Sequence, residues 1–255
     1  MKLIAEFRTE KNTKFSDKPN EDRLLVDCEN GIFIIVDGVS RDLENGLYPN
    51  PSPSLQVSKI FIKHAYNYLT NNLKKNNDYL QLINKAFLVG NEAIHDFNQS
   101  YAGDFLPGTV GIIVIINDNN VYYGYIGDCF GALITGGNKK IFTRCQTEMI
   151  HAHMKEYSAF QIRNEICNHL RHPYAYGVLD GRKGALDFIV TGNFILHEND
   201  RLLLFTDGLA EIVDELDNNQ LLQMSADKIF NYKNDKNTDD KTLIIVRLFK
   251  DENNR

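Results

Sequence analysis

The sequence predicts an α+β fold in which antiparallel sheets pack together with helices on the outside. Three observations carry this expectation. Strand-like runs come first, two long helical patterns follow, and many further strands come after them with a late helix; this is not the regular strand–helix alternation of a doubly wound parallel sheet. The most apolar runs, such as residues 111–116, suit strands covered on both faces. Short turns rich in Asn, Asp and Gly join neighbouring runs, as in hairpins.

Taken in order, residues 2–8 alternate loosely as a strand. Runs 23–28 and 31–36 are joined through Glu29-Asn30-Gly31, and Asn-Gly is a strong hairpin signal. The prolines between 49 and 53 introduce a helix rather than a domain boundary. Val57, Ile60, Phe61, His64, Ala65, Tyr68 and Leu69 then recur at helical spacing, and Leu82, Ile83, Ala86, Phe87, Gly90, Ala93, Ile94 and Phe97 do so more cleanly. Strands are predicted at 109–116 and 121–126, across Asn117-Asp118-Asn119-Asn120, and again at 131–135, 141–144, 188–191, 201–205 and 242–249. Helices are predicted at 156–170 and 221–230. There is no internal repeat or long linker, so residues 1–255 read as one domain.

The chain has 255 residues, 43% of them hydrophobic and 24% charged, which excludes wholesale disorder. A net charge of -6 argues against nucleic acid or an anionic membrane as the main partner. No run approaches the ~18 apolar residues of a membrane helix, and Glu6 and Arg8 arrive too early for a signal-peptide core. Cys28, Cys129, Cys145 and Cys167 form no CxxC pair, so reduced thiols and a cytoplasmic location are expected. His151 and His153 lack a third ligand for zinc. Neither a Gly-x-Ser-x-Gly elbow nor a phosphate-binding loop of the P-loop type is present.

The chemistry resides in the carboxylates. Asp37, Asp128 and Asp207 each end a predicted strand, Asp239 precedes the last one, and Glu21 and Asp22 stand at the entrance to another. Gly38 and Gly208 follow two of them, where a turn and an approachable carbonyl are expected. Any one of these is an ordinary turn or cap. Converging, they would repel one another, and their natural counter-ion is a hard divalent cation, Mg²⁺ or Mn²⁺. Two such ions sharing a water could drive an in-line displacement at phosphorus.

In this order the pieces resemble the metal-dependent Ser/Thr protein phosphatases, the PPM or type 2C family. Asn20-Glu21-Asp22, Val36-Asp37-Gly38, Gly108-Thr109, Gly127-Asp128-Cys129, residues 176–181, Thr206-Asp207-Gly208-Leu209 and Asp239-Asp240-Lys241-Thr242 are similar to successive boxes of that family. The resemblance spans about residues 15–248. It implies a four-layer αββα sandwich and hydrolysis of phosphoserine and phosphothreonine in proteins, opposite a Ser/Thr kinase, without a phosphoenzyme. It also implies roles. Asp37 bridges two ions; Gly38 and Glu21 serve the second, with Asp22 orienting its waters; Asp207 and Asp239 hold the first; Asp128 helps with a third.

Three departures stand out. Asp17 occupies the position of a phosphate-clamping arginine, which leaves Lys18 or Arg23 to bind substrate, and lysine lacks the bidentate fork. Val39 stands where some members have a histidine, so water is expected to protonate the leaving group. Ser40-Arg41 replaces a glycine pair, with Arg41 a further substrate-binding candidate. Residues 143–171, with Lys155, Arg163 and Arg171, correspond to a flap that shapes the substrate site. The alternative class is a catalytically weak relative that acts as a regulatory or binding module.

Overall fold

The computed structural model describes residues 2–14, 17–39, 50–103, 105–232 and 239–249. In chain order the strands are β1 (Lys2–Glu10), β2 (Arg23–Asp27), β3 (Ile32–Val39), β4 (Gly108–Asn117), β5 (Asn120–Ile126), β6 (Phe130–Ile134), β7 (Lys139–Ile141), β8 (Val190–Ile195), β9 (Arg201–Phe205) and β10 (Lys241–Phe249). They form two five-stranded sheets, ordered β1-β10-β9-β6-β7 and β2-β3-β4-β5-β8. Every pairing is antiparallel.

The alternation of side chains along each strand builds the layers. On β3, Phe33 and Ile35 enter the core between the sheets, together with Ile112 and Val114 of β4 and Ile244 and Val246 of β10. Ile32, Ile34 and Val36 face the other way, against Val57, Phe61, Ala65 and Phe87 of two long helices, α1 (Pro53–Asn72) and α2 (Tyr79–Asn98). Beyond the second sheet, Leu203, Phe205, Leu243 and Ile245 pack on Ile212, Val213, Leu221 and Ile229. The result is the expected αββα sandwich, and β4, buried from Gly108 to Ile116, is covered on both faces as its composition required.

Local chemistry fixes the helix ends. Ser52 caps α1, accepting a hydrogen bond from Leu55 N at 3.2 Å, and Pro53 opens its first turn, so the proline cluster does start a helix. Further helices follow: α3 (Glu148–His153), α4 (Ala159–Gln161), α5 (Ala210–Glu215), α6 (Asn218–Gln223) and α7 (Ala226–Phe230).

The structure corrects four expectations. The helix expected at 156–170 is only the single turn α4, followed by a π-helical turn, Ile162–Ile166, and it ends at Asn168 with φ 65°. Arg163, in the middle of that stretch, points inward. It is 1% exposed and reaches Asp180 at 3.1 Å, so it is no lid cation. The helix expected at 221–230 is two, because Ser225 caps α7 and interrupts α6. Two strands also shift: β7, expected at 141–144, ends at Ile141, and β8, expected from 188, begins only at Val190, after a 3₁₀ turn at Lys183–Phe188. Finally, Gly38 does not turn the chain. The strand β3 runs on through Val39, and the missing side chain instead makes room for Glu21, whose Cβ would lie 2.9 Å from a Cβ at Gly38.

Gly208 has a similar reason. A Cβ there would run into the main-chain carbonyl of Asp240. Gly208→Ala must therefore push the start of β10 away from the end of β9, and is expected to cost about 1–3 kcal/mol of stability in denaturant unfolding.

Candidate active site

Strand register gathers the acidic residues. Arg23 of β2 pairs with Val36 of β3, so Glu21 and Asp22 lie just before that end of the sheet and Asp37 just inside it. Asp37 faces Val110 of β4, and Gly111 pairs with Ile126, the last residue of β5, two positions before Asp128. In the other sheet Phe205 pairs with both Leu243 and Phe130, so Asp207 follows β9 and Asp239 precedes β10 near the start of β6. Six carboxylates that the sequence scatters from 21 to 239 thus meet at one end of the sandwich.

Hydrogen bonds fix this end. Asp22, fully buried, accepts a hydrogen bond from Thr206 Oγ1 at 2.8 Å, and Thr206 Oγ1 in turn accepts from Thr242 N at 3.0 Å. This chain of bonds ties the β2 entrance in one sheet to β9 and β10 in the other. Asn20 Oδ1 accepts from Asp22 N at 2.9 Å, and Arg23 donates to the carbonyls of Asn20 and Asp22 at 3.0 and 2.6 Å. Arg23 therefore braces the acidic turn. Thr109 Oγ1 donates to the carbonyl of Asp37 at 2.7 Å, and Thr147 Oγ1 to the Asp128 carboxylate at 3.0 Å. Ser52, the α1 cap, donates to Glu21 Oε1.

Asp240, 2% exposed, is the residue that sequence reasoning left without a role. Its Oδ1 accepts from Asn12 N and Asn12 Nδ2, and its Oδ2 from Glu21 N, all at 2.8 Å. Lys18 Nζ lies 3.5 Å from Glu21, 3.6 Å from Asp240 and 3.8 Å from Asp239. Burial opposes its charge, but Asp240, Glu21, Asp239 and Asp37 outweigh burial and push its pKa up, so it stays an ammonium. Lys18, a substrate-binding candidate, stands among the acids. Arg41 lies outside the described residues.

The acids feel one another. Asp37 is held well above the usual carboxylate range, first by burial and then by Asp22, Asp207, Asp128 and Asp239. Burial, then Asp128, Asp239 and Asp22, push Asp207 to about 8. Asp22 rises to about 7 through burial, although Thr206 and Thr242 oppose the rise. Burial also raises Asp128, against the hydrogen bond from Thr147. Asp22 Oδ1 and Asp207 Oδ1 are buried with no hydrogen-bond partner. Two unpartnered buried oxygens in an all-oxygen acidic cluster fit a hard divalent cation. Among the described residues, however, no three of these side chains close on a point as a finished ion cage. A cavity of about 130 Å³, lined by Asp128, Thr147, His151, Met154 and Val39, sits between the expected flap and this end.

Carboxylates whose pKa is higher folded than unfolded bind extra protons in the native state. That stability is present below about 4 and is lost as pH rises toward about 8. The metal-free protein is therefore expected to melt at a lower temperature at pH 8 than at pH 6 in chelator. Asp37→Asn should raise the pH 8 value and flatten the slope.

No protein-family model matches the sequence, and no curated protein matches it as a relative. Solved structures do match. PstP/Ppp, a serine/threonine phosphatase of Mycobacterium tuberculosis, aligns with a TM-score of 0.72 over 98% of this chain and 100% of its own, at 19% identity. The PstP catalytic domain in complex with two manganese ions gives 0.69 over 98% and 99%, at 18% identity. MsPP, a PPM Ser-Thr phosphatase of Mycobacterium smegmatis, gives 0.63 over 97% and 99%, at 17% identity. At such identities the likeness speaks for architecture: this chain has the fold of the PPM-type serine/threonine phosphatases.

Proposed function

We propose that this chain is a metal-dependent phosphatase of the PPM family that hydrolyses phosphoserine and phosphothreonine in proteins. The observation that carries this reading is the convergence of Glu21, Asp22, Asp37, Asp128, Asp207 and Asp239, with two buried carboxylate oxygens left unpartnered. The likeness to a catalytic domain in complex with two manganese ions supports it.

In this reading Asp37, Asp207, Asp239, Glu21 and the Gly38 carbonyl hold two Mg²⁺ or Mn²⁺ ions, and Asp128 contributes to a third. When bound, such ions acidify a shared water and stabilise charge at phosphorus. The chain's own groups do the rest. Asp22 is locked by Thr206, and its remaining oxygen is available to accept a hydrogen bond from the attacking water. Asp37, half-buried at the cleft floor, stays reachable from solvent. Lys18, Arg23 and Arg41 are the candidate partners of the phosphate, and of these Lys18 brings a point charge next to the acids. Val39 offers no proton, so the leaving alkoxide takes one from water. Among the described residues no helix is long and apolar enough to cross a membrane. A cytoplasmic phosphoprotein substrate, phosphorylated by a Ser/Thr kinase, completes the proposal.

One observation favours a second reading. The Lys18 ammonium already neutralises part of the cluster, as in a module that binds a partner and turns over little or nothing. Turnover of p-nitrophenyl phosphate and of a phosphothreonine peptide separates the two. The phosphatase reading expects Mn²⁺-dependent turnover that Asp37→Asn and Asp207→Asn each reduce by about 100-fold or more. Folded, metal-loaded protein with no turnover would select the binding module.

A further inference from the structure

We propose that Lys18 is a built-in counter-ion, anchored by Asp240, that competes with a divalent cation for Glu21 and Asp239. The inference rests on the metal-dependent reading above and adds a residue to it.

The geometry is the argument. Lys18 Nζ stands 3.5, 3.6 and 3.8 Å from three different carboxylates. The ammonium lies within 4 Å of three acids at once, and Lys18 is only 7% exposed. Asp240 explains why it stays. That carboxylate is fixed by three main-chain and side-chain donors and is 2% exposed, more deeply buried than Asp37 and Asp207. A buried carboxylate held this rigidly needs a cation beside it. Glu21 and Asp239 are on the same ammonium, so a divalent ion approaching their oxygens meets a positive charge within 4 Å of them. Lys18 must withdraw for an ion to take both. The long side chain lets it do so, and an ammonium released next to bound metal is free to pair with a phosphate. Metal loading and anion binding are then coupled through one side chain, a positioning role rather than a catalytic one.

The test is calorimetric titration of the full chain with Mn²⁺ alone, then with inorganic phosphate, together with melting in chelator. Lys18→Met is expected to bind Mn²⁺ about tenfold more tightly at one site, to lose the phosphate binding that follows metal loading, and to melt lower without metal. Lys18→Met combined with Asp240→Asn removes the anchor charge along with the ammonium. It should recover the metal-free melting temperature and keep the tighter Mn²⁺ binding, and it serves as the folded variant if the single change does not fold. A lysine that only props up the structure would not raise metal affinity when removed. Unchanged or weaker Mn²⁺ binding in both variants overturns the inference. If wild-type binding of Mn²⁺ is abolished by Asp37→Asn while the Lys18 variants match wild type, only the counter-ion role falls. If no variant binds Mn²⁺, the metal-dependent reading falls and takes this inference with it.

Discussion

Repulsion between carboxylates packed at one end of the sandwich is the constraint on which the rest of the structure turns. Desolvation and mutual charge push Asp37, Asp22 and Asp207 in the same direction. A fold tolerates that only if its other parts hold the acids in place. Here the work falls to rigid elements: strand ends whose register is set by three apolar layers, and a line of threonines along one sheet, Thr9, Thr242 and Thr206, the last of which donates to Asp22 at the edge of the other. The Ser52 hydroxyl, at the positive end of α1, adds a further donor to Glu21. In the proposed reading, stability is given up locally so that negative charge is displayed where a cation can use it.

Much of the fold was legible in the sequence because hydrophobic period and turn chemistry are local signals. The β2–β3 hairpin, the turn before β5, the two long helices and the doubly covered β4 all follow from residues within a few positions of one another. What failed was nonlocal. Arg163 reads from its neighbours as one of the cations of a flap. Its partners are Asp180, Leu106 and Cys167, and its tie to Leu106 spans 57 positions. The arginine of that buried ion pair sits within the π turn Ile162–Ile166.

The site divides in the same way. Its acidic residues could be named from strand context, since each sits at the end or start of an apolar run. Their partners could not. Nothing near Asp240 in the sequence says that it receives Asn12 and the Glu21 amide from more than 200 positions away, or that Lys18 is drawn to it. Thr206 and Ser52 carried weak signals, one inside an acidic box and one as a helix cap, and both proved to hold carboxylates.

The bonds from Thr206 to Asp22 and from the Glu21 amide to Asp240 join two sheets whose facing surfaces are largely apolar. Asp37 belongs to one sheet and Asp207 to the other. The gap between those two acids is therefore a property of the interior. Any swelling or slippage of the middle layer, where Phe33, Ile112, Leu204 and Ile244 meet, changes the width of the cleft. Side chains that never see solvent would in this way act as the calipers of the acidic pocket, and their volume would tune it from a distance.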